Sequence, residues 1–103
     1  MNISKHAKDR LKERCGIPKK AIERKVKIAL EKGLKHKETS GSLRKYVSAL
    51  YCKEKDGTNI TLHDDMVYIF TKTTLITVFH LPNKYKNLLK KQLERKTKNM
   101  KTI

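Results

Sequence analysis

The chain has 103 residues, enough for one domain with a modest core and too few for two. Its 26 Lys and Arg against 10 Asp and Glu give a formal charge of +16, so a polyanion is the expected partner, nucleic acid first among them. No run of about 18 apolar residues marks a membrane span and no apolar signal-peptide core opens the chain. Cys15 and Cys52 make no disulfide framework, so a cytoplasmic protein with reduced thiols and no membrane contact is expected.

Residues 1–38 read as two helices. Ser4 is an N-cap, Ile3, Ala7 and Leu11 recur at helical spacing, and Gly16 is a stop, which predicts a first helix from about Ser4 to Cys15. The second helix starts near Pro18, buries Ile22, Val26, Ala29 and Leu30, and ends at Gly33. Residues 34–42 read as a loop. From residue 43 to 81 the pattern reads as strands: Val47, Ala49 and Tyr51 alternate with Tyr46, Ser48 and Leu50, and a turn follows at Asp56-Gly57. Asn59–Leu62 makes a second strand and Asp64-Asp65 a turn. Met66–Thr71 and Leu75–Leu81 are the strongest strands, rich in β-branched and aromatic residues.

After Pro82, Tyr85, Leu88, Leu89 and Leu93 mark a last amphipathic helix whose other face is basic. From Lys84 to Lys101 there are eight basic residues and one acid, Glu94. The predicted fold is therefore α+β: an N-terminal helical hairpin on a four-stranded antiparallel sheet over residues 1–82, then a basic helix and tail over 83–103 within the same domain. In that arrangement one sheet face is left partly open, a cation-rimmed platform for a polyanion.

His6, Arg10 and Arg14 follow one side of the first helix at i, i+4, i+8. Two guanidiniums can fork a phosphodiester and an imidazole can move a proton near neutral pH, and RNA cleavage by its own 2′-hydroxyl needs no metal. The same residues also suit a solvated helix face with Asp9 and Glu13 as ion-pair partners. His36, Glu38, Thr39 and Ser40 put imidazole, carboxylate and hydroxyls in one loop, although a capped turn uses the same residue types. In the last strand Ile76 and Val78 are expected to share the face of His80, with Thr77 and Phe79 on the other. Tyr46, Tyr51, Tyr68 and Phe70 are strand aromatics on which bases could stack, Tyr46 and Tyr68 being the expected exposed pair beside Arg44 and Lys45. There is no CxxC, HExxH or Gly-rich phosphate loop, so no metal or cofactor is expected.

The run Ile3-Ser4-Lys5-His6-Ala7-x-x-Arg10-Leu11-x-x-Arg14 before a meander ending in LITVFHLP resembles the RelE-type ribonuclease toxin superfamily, over residues 3–82. It is closest in pattern to small members carrying H-A-x-x-R-x-x-x-R, and is similar to phage and mobile-element reading frames of Gram-positive bacteria. The resemblance implies a bacterial host cell and an RNA-cleaving site with His6, Arg10 and Arg14 as its helical part and Thr77 or His80 as its sheet part. RelE-type toxins carry more Arg, Lys and Tyr at the sheet end than this strand offers, which turns the expectation toward contact rather than cleavage. Catalytic candidates are thus His6, Arg10, Arg14, His36 and His80. The binding candidates are Lys5, Arg10, Arg14, Arg44, Lys45, Tyr46, Lys84, Lys86, Lys90, Lys91 and Arg95. Three functions follow: a binder of RNA, DNA or a ribonucleoprotein, RNA favoured, that could block a host defence or regulatory complex; a metal-independent endoribonuclease; and a subunit that binds a protein partner, inhibitor or target.

Overall fold

A computed structural model describes residues 2–53 and 57–101, with side chains through Lys96. The chain opens with a short strand, β1 (Asn2–Ile3), and turns at Ser4 into helix α1 (Lys5–Glu13). Ser4 caps that helix as its sequence predicts: its hydroxyl accepts the Ala7 N–H at 3.1 Å. The same hydroxyl donates to the Ile76 carbonyl at 3.2 Å, which ties the helix start to a strand 72 residues away. Past α1, the Ile17 N–H returns to the Leu11 carbonyl while Gly16 takes φ 63°, a left-handed conformation that glycine adopts without cost.

The second helix starts later than expected. A turn of 3-10 helix at Lys19–Ala21 follows Pro18, and α2 spans Ile22–Lys32 with Ile22, Val26 and Ala29 buried. The expected loop after it contains β2 (Leu34–Lys35) and a 3-10 turn at His36–Glu38.

The region after it departs furthest from the pattern read off the chain. Residues Gly41–Lys53 form helix α3, not a strand. Leu43 and Val47 are fully buried, Leu50 and Tyr51 are half-buried, and Ala49 is exposed, which is helical period rather than alternation. β3 (Thr58–His63), β4 (Met66–Thr71) and β5 (Thr74–His80) then make the expected antiparallel meander. The turn expected at Asp56-Gly57 begins outside the described residues. Helix α4 spans Asn83–Lys101.

The sheet has five strands in the order β1-β5-β4-β3-β2 and is mixed, because β1 runs parallel to β5. The expected four-stranded antiparallel sheet is thus a three-stranded meander with a two-residue strand added at each edge. Both faces are covered. α1 and α2 pack on Met66, Tyr68, Phe70, Leu75 and Val78. α3 and α4 pack on Ile60, Leu62, Val67, Ile69 and Leu81, with Leu89 of α4 buried among them. The open cation-rimmed sheet face does not exist, and Tyr68 and Phe70, each 0% exposed, are core residues rather than a stacking platform.

A register shift between Ile69 and Phe70 corrects the strand pattern of β5. Ile69 pairs with Thr77 and Phe70 with Leu75, so Ile76 is the extra residue of a bulge. Ile76 and Phe79 therefore pack toward α3 and α4, while Val78 packs toward α1 and α2. The Ile76 carbonyl at the bulge is the one that Ser4 satisfies.

Candidate nucleic-acid interface

The five proposed catalytic groups occupy three places. Arg10 donates from Nε to His6 Nε2 at 2.9 Å on the exposed side of α1, so that pair forms as its spacing predicts. For this bond His6 must keep a lone pair on Nε2. Ser4 binds the sheet at the N-terminal end of α1, and Arg14 caps the C-terminal end. There His80 donates from Nε2 to the Arg14 backbone carbonyl at 3.2 Å, so the imidazole meets the main chain of Arg14. His6 and His80 thus lie toward opposite ends of the helix. His36 lies at the other edge of the sheet, where it shares a hydrogen bond with Ser48 Oγ of α3 at 2.8 Å and sits edge-on to Tyr51. Half-buried Thr77 pairs with Ile69 across the bulge, on the face that α3 and α4 cover.

The binding candidates separate by helix face. Charge is the first discriminator. The α1–α2 layer, with Arg14, Lys19 and Lys20 between its helices, carries eleven basic residues and four acids, and α3 and α4 carry eleven basic residues and Glu94 alone. The two layers thus differ in acids, four against one, and not in cations. Lys5, Arg10 and Arg14 belong to the α1–α2 layer.

Within α4, spacing sets two flanks. Leu89, Gln92, Tyr85 and Lys96 face inward. Gln92 accepts the Ser40 N–H at 3.0 Å and donates to the Ser40 carbonyl at 3.2 Å. Lys96 donates to the Gly33 carbonyl at 2.8 Å and pairs with Glu38 at 3.0 Å. Burial acts to raise the Glu38 carboxyl, but the Lys35 N–H and the Lys96 ammonium hold it below its ordinary value.

On one side of this inward stripe, Lys86 and Lys90 line a shallow cleft of about 300 Å³ with Asp64 and Asp65 of the β3–β4 turn, so carboxylates offset their charge. Asp64 also pairs with Lys25, whose hydrogen bond lowers the Asp64 carboxyl from its ordinary value. On the other side Lys84, Leu88, Lys91 and Arg95 follow at i, i+4, i+7 and i+11, the three cations exposed. Beside them Tyr85 packs on Tyr46 of α3 with ring centroids 4.6 Å apart, and the Lys84 ammonium lies 5.1 Å from the Tyr85 centroid. Burial, then the neighbouring Tyr85, raises the Tyr46 phenol, so it stays neutral. Lys45 is exposed on α3, while Arg44 shares a flank with Ser48 and Tyr51 and belongs with His36.

The candidate surface thus comprises Lys84, Lys91 and Arg95 on one flank of α4, next to a half-buried tyrosine pair. The Tyr85 half of that pair was legible only as a core residue of the last helix. Among the described residues no group of His, Cys, Asp and Glu is placed to hold a metal, and no helix is long and apolar enough to cross a membrane. No protein-family model, curated protein or solved structure matches the chain. The fold is that of an α+β domain with a mixed five-stranded sheet between two helical layers.

Proposed function

We propose that this protein binds nucleic acid, a single RNA strand or a ribonucleoprotein in preference to duplex DNA, through the outer face of α3 and α4. The observation that carries the reading is the exposed flank of Lys84, Lys91 and Arg95 on α4, in a pair of helices whose single acid is Glu94. Such a surface gains affinity by releasing counterions from phosphates, and the exposed part of the adjacent tyrosine pair can contact unpaired bases. A stoichiometric binder of this kind could occupy a host defence or regulatory complex and block it.

One observation favours a second reading. The His6–Arg10 hydrogen bond joins an imidazole to a phosphate-binding group, the minimum for metal-independent RNA cleavage of the kind the RelE resemblance implies. Binding is preferred because His36 and His80 stand apart from that pair, which leaves a single imidazole for a reaction that uses both an acid and a base. The two readings separate when end-labelled single-stranded RNA and matching DNA are incubated with the protein in EDTA. Intact RNA with a salt-sensitive mobility shift is the expected result. RNA fragments made by the wild type and absent with His6→Ala would replace the binding reading with the catalytic one.

A further inference from the structure

β2 pairs with Leu62 and Thr61 of β3, and among the described residues no strand pairs with that edge of β3 from Thr58 to Ile60. A cleft of about 480 Å³ opens at this place, within the ~300–1,000 Å³ range of small-ligand sites. Leu30 of α2 closes it from one sheet face and Tyr51 of α3 from the other. Its polar lining includes Lys35, His36, Lys37, Asn59, Thr61 and Lys72. Among the described residues that line it there are three lysines and a histidine, and no carboxylate. Nearby Glu38 is engaged by Lys96 and the Lys35 N–H.

The imidazole at the cleft is fixed in place. His36 is held from two sides, by the Ser48 hydroxyl and by the edge-on contact with Tyr51, ring centroids 5.1 Å apart. Lys72 stands in the β4–β5 turn at φ 56°, and its exposed side chain borders the cleft.

We propose that this cleft is a nucleotide subsite, in which Lys35, Lys37 and Lys72 grip a phosphate and the Asn59 amide reads a base or sugar edge. An extended peptide is the alternative occupant of an open sheet edge. The structure disfavours it, because the Tyr51 hydroxyl already accepts the Ile60 N–H at 2.9 Å, which blocks a main-chain donor that an added strand would use. A phosphate answers the Lys37 and Lys72 ammoniums better than a peptide backbone does. The nucleotide could be free or the phosphorylated end of a strand. The inference stands on the cleft alone, apart from the reading of α3 and α4.

Calorimetric titration tests it with uridine 5′-monophosphate, uridine, inorganic phosphate and an acidic peptide, against the wild type, Lys37→Ala/Lys72→Ala, His36→Gln and Lys12→Ala. Saturable binding of the monophosphate, at least about ten-fold tighter than uridine or phosphate, is expected, with about a ten-fold or greater loss in the double variant. Lys12→Ala, on the far helical layer, should bind as the wild type does. Equal affinity for phosphate and the nucleotide, no binding, or tighter binding of the acidic peptide would overturn the assignment. Because His36→Gln could disturb packing, its thermal midpoint is measured alongside; the double variant replaces exposed lysines and decides the matter by itself. Competition by a 5′-phosphorylated but not a 5′-hydroxyl oligoribonucleotide would assign the ligand to a strand end, and competition by neither would assign it to the free nucleotide. Long RNA bound without the monophosphate sinks the cleft alone, and the monophosphate bound without long RNA sinks the reading of α4 alone.

Discussion

Gly33→Ala should be among the most damaging single-methyl additions to this chain. Gly33 closes α2 and starts the turn into β2; its N–H returns to the Ala29 carbonyl at 2.8 Å, and its own carbonyl receives Lys96 from α4. Its φ of −67° suits any residue, so the cost comes from contact and not from the backbone conformation. A Cβ there would stand 2.2 Å from Thr61 Cγ2 and 2.3 Å from the Ala29 carbonyl oxygen. Thr61 is 2% exposed in β3 and has little room to retreat. The helix end must shift, which adds overpacking of about 1–3 kcal/mol to the loss of a backbone hydrogen bond of about 1 kcal/mol. A total of roughly 2–4 kcal/mol lowers the thermal midpoint by about 10 °C or more in a domain of this size. Circular dichroism melts and urea titrations measure it, with Gly16→Ala as the contrast. Gly16 has no neighbour within 4 Å but a φ of 63°, so alanine there should cost only about 1 kcal/mol. A Gly33→Ala protein as stable as the wild type would refute the close-contact argument.

Leu89→Ala should cost about 2–5 kcal/mol, because Leu89 is 1% exposed beneath α4; urea unfolding reads the loss, and a cost under about 0.5 kcal/mol would mean that α4 is not seated on the sheet. It follows that the charge of α4 is properly tested by substitution, since truncation would uncover apolar core. His63→Gln should flatten the acid limb of stability. Burial lowers the His63 imidazole from its ordinary value, so its contribution is full above about pH 6.5 and is lost as the pH falls through the folded value. Between about pH 7 and about pH 5 the wild type should therefore lose more melting temperature than the variant, and equal losses would dismiss His63 as the cause.

Much of the fold was legible because period and punctuation agreed. Ser4 as a cap, the Ile22–Val26–Ala29 face, the Asp64-Asp65 turn and the last helix all follow from local rules, and the structure has them. α3 was not legible, because Val47, Ala49 and Tyr51 satisfy a two-residue period while Leu43, Val47 and Leu50 satisfy a helical one. Only the core decides between them. β1 and β2 contain two residues each, too few to show any period.

Reading α3 as a strand had a further consequence, since it removed the helix that covers the second sheet face. The chain held a signal against an open face: Met66-Val67-Tyr68-Ile69-Phe70 is an unbroken apolar run, the pattern of a strand buried on both sides. The site followed the same division. The basic excess of the last helix is a property of composition and could be seen. The pairing of His36 with Ser48, of Tyr46 with Tyr85, and the offset of Lys86 and Lys90 by Asp64 and Asp65 depend on tertiary placement.

The salt dependence of RNA binding tests the central claim most directly. Binding of a labelled single-stranded RNA is measured from about 50 to about 200 mM salt for the wild type and for Lys84→Ala/Lys91→Ala/Arg95→Ala. Each phosphate contact on a single strand adds about 0.7 to the slope of log affinity against log salt, so loss of three contacts should reduce the slope by about 2. That result, with an unchanged melting temperature, is what a phosphate-binding face on α4 predicts. An unchanged slope would contradict it and move the interface elsewhere on the protein.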